Sequence, residues 1–115
     1  MMEKQRDINS YFQGVLENIN IILDNNFYSD DDKKSLESVK LKIENWYAVY
    51  KEKNTLGGIE PKELENIGFE ITDFFDKYVI TESVKENYAE RLSYYFGHLE
   101  KDWKIEMLEG KKNGW

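Results

Sequence analysis

Apolar residues recur along this chain at helical spacing, in four stretches separated by polar or glycine-containing breaks. The longest pattern runs from Thr81 to Leu108. There Val84, Tyr88, Ala89, Leu92, Tyr95, Phe96, Leu99, Trp103 and Met107 fall on one side of a 100°-per-residue wheel. A helix of about seven turns with so wide an apolar face must pack against several partners at once. The rest of the chain should supply them.

The first stretch, Lys4 to Asp24, puts Ile8, Tyr11, Phe12, Val15, Leu16, Ile19, Ile22 and Leu23 on one face. Gly14 interrupts it at a cost of about 1 kcal/mol relative to Ala. A close helix crossing is the usual reason to keep such a glycine. Asp24-Asn25-Asn26 then stops the helix, because Asn tolerates the left-handed conformation at a C-terminus.

Ser29-Asp30-Asp31-Asp32 marks the next start. Ser29 can cap, Asp32 stands at the third position of a capping box, and three acids suit the positive end of the helix dipole. The helix should run from Asp30 to about Lys53, with Leu36, Val39, Ile43, Trp46, Tyr47 and Tyr50 inward. Its outer face alternates lysines and glutamates, a solvated surface laced with i, i+4 pairs.

Asn54 to Pro61 is the clearest break, with Gly57, Gly58 and the chain's one proline close together. Pro61 suits the first turn of a third helix, Pro61 to Val79, with Leu64, Ile67, Ile71, Phe74, Phe75 and Tyr78 inward. Gly68 weakens that helix, and the alternation around Phe69 and Ile71 also permits a strand near 68–73. Thr81 or Ser83 would cap the fourth helix, with Glu82 and Glu86 in its first turn. Residues 109–115, with Gly110 and Gly114, read as a stop and a short flexible tail.

The expected fold is all-α: one domain over 1–115, an antiparallel up-down bundle of four helices at roughly 4–24, 30–53, 61–79 and 82–108. The alternative is a three-helix core with a displaced or β-like segment near 68–73. At 115 residues the chain is long enough to bury a core of its own. Charged residues are 34% of it, but 15% aromatic content supplies core volume and argues against disorder.

The net charge of −7 disfavours phosphate backbones and anionic membranes and suits a basic protein partner. With no cysteine there are no disulfides and no thiolate zinc site. No apolar run is long enough to span a bilayer, and the N-terminal segment lacks the apolar core of a signal peptide. These features predict a cytoplasmic protein; the abundance of Lys, Asn, Ile, Glu and Tyr is that of an AT-rich bacterial or phage gene.

No motif carries chemistry. His98 is the one histidine, too few for a di-iron bundle and with no marked nucleophile to serve. Asp30-Asp31-Asp32 lacks the alternating acids and glycine of a calcium loop, and helix capping explains it. Gly57-Gly58 has no phosphate-loop context. No catalytic residue, metal ligand or cofactor is therefore expected.

Two places break the amphipathic rule and become the candidate binding surfaces. From Gly57 to Ile80 six acids stand against Lys62 and Lys77, a net −4. Within that stretch Phe69 falls opposite the core stripe, amid Glu65, Glu70, Asp73 and Asp76. An aromatic ringed by acids can anchor in a basic partner's pocket while the rim steers encounter. The competing reading tucks Phe69 under the Gly57-Gly58 loop or beside a kink at Gly68. The second place is the back of the last helix, where Tyr94, His98 and Ile105 align beside Arg91 and Lys101. A partner or a second copy could bind there, or another segment could cover it.

The function expected is that of a non-enzymatic acidic inhibitor of a larger basic protein. An immunity protein, an antitoxin or a phage-type anti-defence inhibitor of a nuclease or defence enzyme fits. The alternative is a structural or regulatory helical adaptor that homodimerises. Direct nucleic-acid or membrane binding is not expected.

Overall fold

Four helices carry the described residues: α1 Ile8–Leu23, α2 Asp30–Lys53, α3 Pro61–Tyr78 and α4 Tyr88–Lys112. The computed structural model describes residues 8–78 and 87–112, with side chains described to Leu108. Among the described residues there is no strand. The β-like alternative at 68–73 does not form, because the 3.6-residue pattern of Leu64, Ile67, Ile71, Phe74 and Tyr78 has a core to face. Nor is any helix displaced, since all four contribute buried residues to one apolar cluster.

The helices pack in a ring. α1 lies between α2 and α4, and α3 lies between the same two; the diagonal pairs make no close backbone approach among the described residues. The α1/α4 interface is the most extensive, as the wide face of α4 requires. Contacts run in opposite sequence order along neighbours. Tyr11 meets His98 while Gly14 meets Tyr95, and Asp32 meets Tyr78 while Trp46 meets Glu63. That is the sense of an up-down arrangement.

The core is filled largely by the predicted stripes, but Phe75, expected inward, is only half-buried, and Tyr28, Leu56 and Ile59 join from between the helices. Phe12, Ile19, Leu36, Ile43, Ile71 and Leu92 are each at most 2% exposed. Each such side chain stabilises the fold by about 1.5–3 kcal/mol through apolar burial. Phe12 also stacks on Tyr47 at 4.7 Å, tying α1 to α2.

Helix ends follow local chemistry, not always where the pattern suggested. Ser29 caps α2, its hydroxyl accepting from the Asp32 amide at 3.2 Å. α2 ends at Asn54, whose φ of 55° is the left-handed cap and whose amide reaches the Tyr50 carbonyl at 2.7 Å. Asn25 and Asn26, expected to take that role for α1, do not: Asn54 is the one described non-glycine residue with positive φ. Asn25 instead accepts the Phe27 amide at 2.9 Å in an Asx turn.

α4 begins later than its periodicity implied. Asn87 caps it, accepting the Glu90 amide and donating to the Glu90 carboxylate, both at 2.9 Å. Asn-x-x-Glu is a capping signature that the apolar Tyr88 and Ala89 disguised as helix interior. The expected caps Thr81 and Ser83, the first-turn acids Glu82 and Glu86, and Val84 lie outside the described residues, as do 4–7 and Val79. At the other end α4 runs past Leu108 to Lys112, into the segment expected to be tail; residues 113–115 lie outside the described residues.

The α2–α3 connection is not a free loop. Leu56 and Ile59 are buried in the core cluster. Glu106 of α4 accepts from the Leu56 amide at 2.9 Å and from the Thr55 hydroxyl. The Trp103 indole donates to the Ile59 carbonyl at 3.1 Å. This strap draws the end of α2 and the start of α3 onto α4.

Candidate functional site

Phe69 stands 61% exposed on the outer side of α3. It is neither under the Gly57-Gly58 loop nor beside a break, since α3 is continuous through Gly68. The reason is rotational. Leu64, Ile67, Ile71 and Phe74 consume the core-facing arc, which turns Phe69 outward. Glu65, Glu70, Asp73 and Asp76 are all exposed around it. The structure therefore brings all five α3 candidates onto one outer surface.

Beside Phe69, α3 and α4 part to leave a cleft of about 470 Å³. Gly68 and Phe69 line one wall, Gly97 and Glu100 the other, with Phe96 and Trp103 among the deeper residues. The two glycines sit in the interiors of helices that would each be about 1 kcal/mol more stable with Ala there. Neither is needed for packing. A Cβ on Gly97 would meet nothing within 4 Å, and one on Gly68 would meet the Phe96 ring at an ordinary 3.5 Å. Gly14 is the opposite case, with the Tyr95 ring 2.6 Å from where its Cβ would be.

The second candidate surface is placed differently from the sequence reading. Tyr94 is 59% exposed, but His98 is only half-exposed and lies at the α1/α4 seam. Its ring stacks on Tyr11 of α1 at 4.8 Å and meets the Tyr94 ring edge-on at 4.6 Å. Ile105 is half-buried. So α1 covers part of the patch and Tyr94 and His98 touch, while Ile105 stands about two turns further along α4.

A separate electrostatic cluster joins the start of α2 to the end of α3. Asp32 accepts from the Ser29 hydroxyl at 2.7 Å, from the Tyr78 hydroxyl, and from the Lys77 ammonium at 2.9 Å. Burial pushes its carboxyl up, but the bonds from Tyr78, Lys77 and Ser29, with the charge of Lys77, outweigh it, and the group titrates below its ordinary value. The same bond and charge hold Lys77 above its own ordinary value. The Ser29 amide, which a capping box would return to the acid, donates to the Tyr78 hydroxyl at 3.3 Å. This network fastens the first turn of α2 to the last turn of α3.

Among the described residues no three His, Asp or Glu side chains converge as a metal site. Nor is any described helix long and apolar enough to cross a membrane. The chain matches no family model, no curated protein and no solved structure. Its candidate site is therefore defined by geometry: an acidic α3 surface with Phe69 at its centre, continuous with the α3/α4 cleft. The sequence reading missed the cleft. Its visible trace was a third mid-helix glycine, Gly97, beside Gly14 and Gly68.

Proposed function

We propose that this protein is a non-enzymatic binding protein that occludes a basic protein partner through the outer surface of α3. The observation that carries this reading is Phe69, an aromatic side chain 61% exposed within a ring of solvated carboxylates. Exposed aromatics anchor interfaces by filling a partner's pocket, and surrounding charge speeds and orients encounter. A net charge of −7 supports a basic partner. An immunity protein, an antitoxin or a phage inhibitor of a nuclease or defence enzyme, acting in the cytoplasm, would work in this way.

The test is a photo-crosslinking residue placed at position 69, with a control at Leu41 on α2, in cells that contain the native neighbours. The expected result is one adduct with a basic protein from position 69 and none from position 41. The adduct should disappear when Glu70 and Asp73 are both changed to Lys. No adduct at 69, or one indifferent to that charge reversal, rejects the reading. The homodimerising adaptor is favoured by a different observation, the 59% exposure of Tyr94 on α4. Light scattering separates the two, because an adaptor of that kind gives a dimer that Tyr94→Ala dissolves.

A further inference from the structure

The α3/α4 cleft is a groove with matched walls. Phe69 and Thr72 on α3 face Ser93 and Gly97 on α4 across a floor that includes Leu64 and Phe96. We propose that this groove receives an amphipathic helix of the basic partner, apolar stripe inward and Lys or Arg residues along its flanks. The inference rests on the reading of α3 as the binding surface and specifies what that surface holds.

Three observations converge on this occupant. The first is the pair of unexplained glycines. Gly14 is required by Tyr95, but internal packing asks for no glycine at 68 or 97. Both line the one groove, where they lower the two walls and let another backbone approach closely. The second is size. The lining runs from Pro61 to Thr72 on α3 and from Ser93 to Lys104 on α4. Each is about 16 Å of helix, the length of roughly three turns of an occupant. The third is charge. Glu65 and Glu100 flank the groove, with Lys104 at one end, and the exposed acids Glu70, Asp73 and Asp76 continue the acidic surface beyond Phe69. A helix suits such a site because it satisfies its own backbone hydrogen bonds, and the described residues offer no sheet edge for a strand to join.

The test uses a cationic amphipathic Leu/Lys peptide of about five turns and a scrambled peptide of identical composition. The readout is backbone amide NMR of the full chain. The amphipathic peptide should shift the Gly68 and Gly97 amides saturably, and the scrambled one should not. Gly97→Leu should fill the groove and weaken binding at least 10-fold, while circular dichroism and the melting temperature hold or rise. Gly97→Ala, the milder change, should weaken it less. No saturable shift, equal shifts from both peptides, or a Gly97→Leu variant that binds as well as the parent overturns the proposal. A dimer in light scattering that Gly97→Leu dissolves also overturns it, in favour of a second copy as occupant. If the peptide test fails while position 69 still crosslinks to a basic protein, the helix inference falls and the α3 reading stands. If the peptide seats but position 69 gives no adduct in cells, the groove stands and the inhibitor reading falls.

Discussion

The ring of Tyr95 occupies the space that a side chain at Gly14 would need: an added Cβ would lie 2.6 to 2.7 Å from three of its carbons. This contact lets α1 and α4 approach closely at the middle of their shared interface. Gly14→Ala should therefore destabilise the protein by about 1–3 kcal/mol, the overpacking penalty exceeding the helix-propensity gain. Urea unfolding measures it, and Tyr95→Ala in the same chain should remove most of the difference between Gly and Ala at position 14.

The opposite sign is expected at the other two helix-interior glycines. Gly68→Ala and Gly97→Ala should each raise stability by about 0.5–1 kcal/mol, because a methyl group has room at both positions. Thermal melts of the two single variants and the double variant check this. A loss of stability in either would mean that the cleft is already in use by the protein's own packing.

Phe69 and Phe74 lie five positions apart on α3 and should respond very differently. Phe69→Ala should change stability by less than about 0.5 kcal/mol, since the side chain is 61% exposed. Phe74→Ala should cost about 3–5 kcal/mol, since its ring is 6% exposed and packs on Tyr28 and Tyr78. Chemical denaturation of the pair gives both numbers.

Much of this is legible in the sequence. The bounds of α2 follow from Ser29 and the Asn54 break because capping is local chemistry, and the outward turn of Phe69 follows from counting residues on α3. What escaped depends on how helices align with one another. That Gly68 should share a cleft with Gly97, or that Tyr11 should cover His98, is a matter of axial offset between elements, which periodicity within one helix does not contain. The Asn87 cap was hidden because Tyr88 and Ala89 extend the apolar pattern up to it. The burial of Leu56 and Ile59 was hidden because a glycine-rich segment reads as solvent-exposed even when Glu106 and Trp103 hold it down.

Acid should loosen the hold between the start of α2 and the end of α3. The folded carboxyl of Asp32 titrates below its ordinary value of 3.8. Its contribution is therefore complete above the unfolded value and is lost as pH falls through the lower folded one. Asp32→Asn should cost about 1–2 kcal/mol at neutral pH by weakening the charge-assisted bonds from Tyr78, Lys77 and Ser29. The gap between variant and parent should close as pH falls through the lowered folded value of Asp32. Urea midpoints of both proteins across the acid range decide it.

Removing the carboxylate of Glu106 should release the strap. In Glu106→Ala the Leu56 amide loses its 2.9 Å acceptor, and its hydrogen-exchange protection should fall well before that of the α1 and α4 amides. Global stability should drop by about 1.5–3 kcal/mol, the range for a charged acceptor taken from partly buried donors.

The ring order of the helices has a kinetic consequence. The largest interface joins α1 to α4, the two elements furthest apart along the chain. Neither sequential hairpin can complete the core alone: α2 covers part of α1, as Phe12 on Tyr47 shows, but the larger share of its contacts waits for α4 to arrive. The loop-closure entropy of nearly the whole chain must be met before that burial rewards it. Folding should thus be slow for a helical protein of this length, with the transition state set by the meeting of its first and last helices.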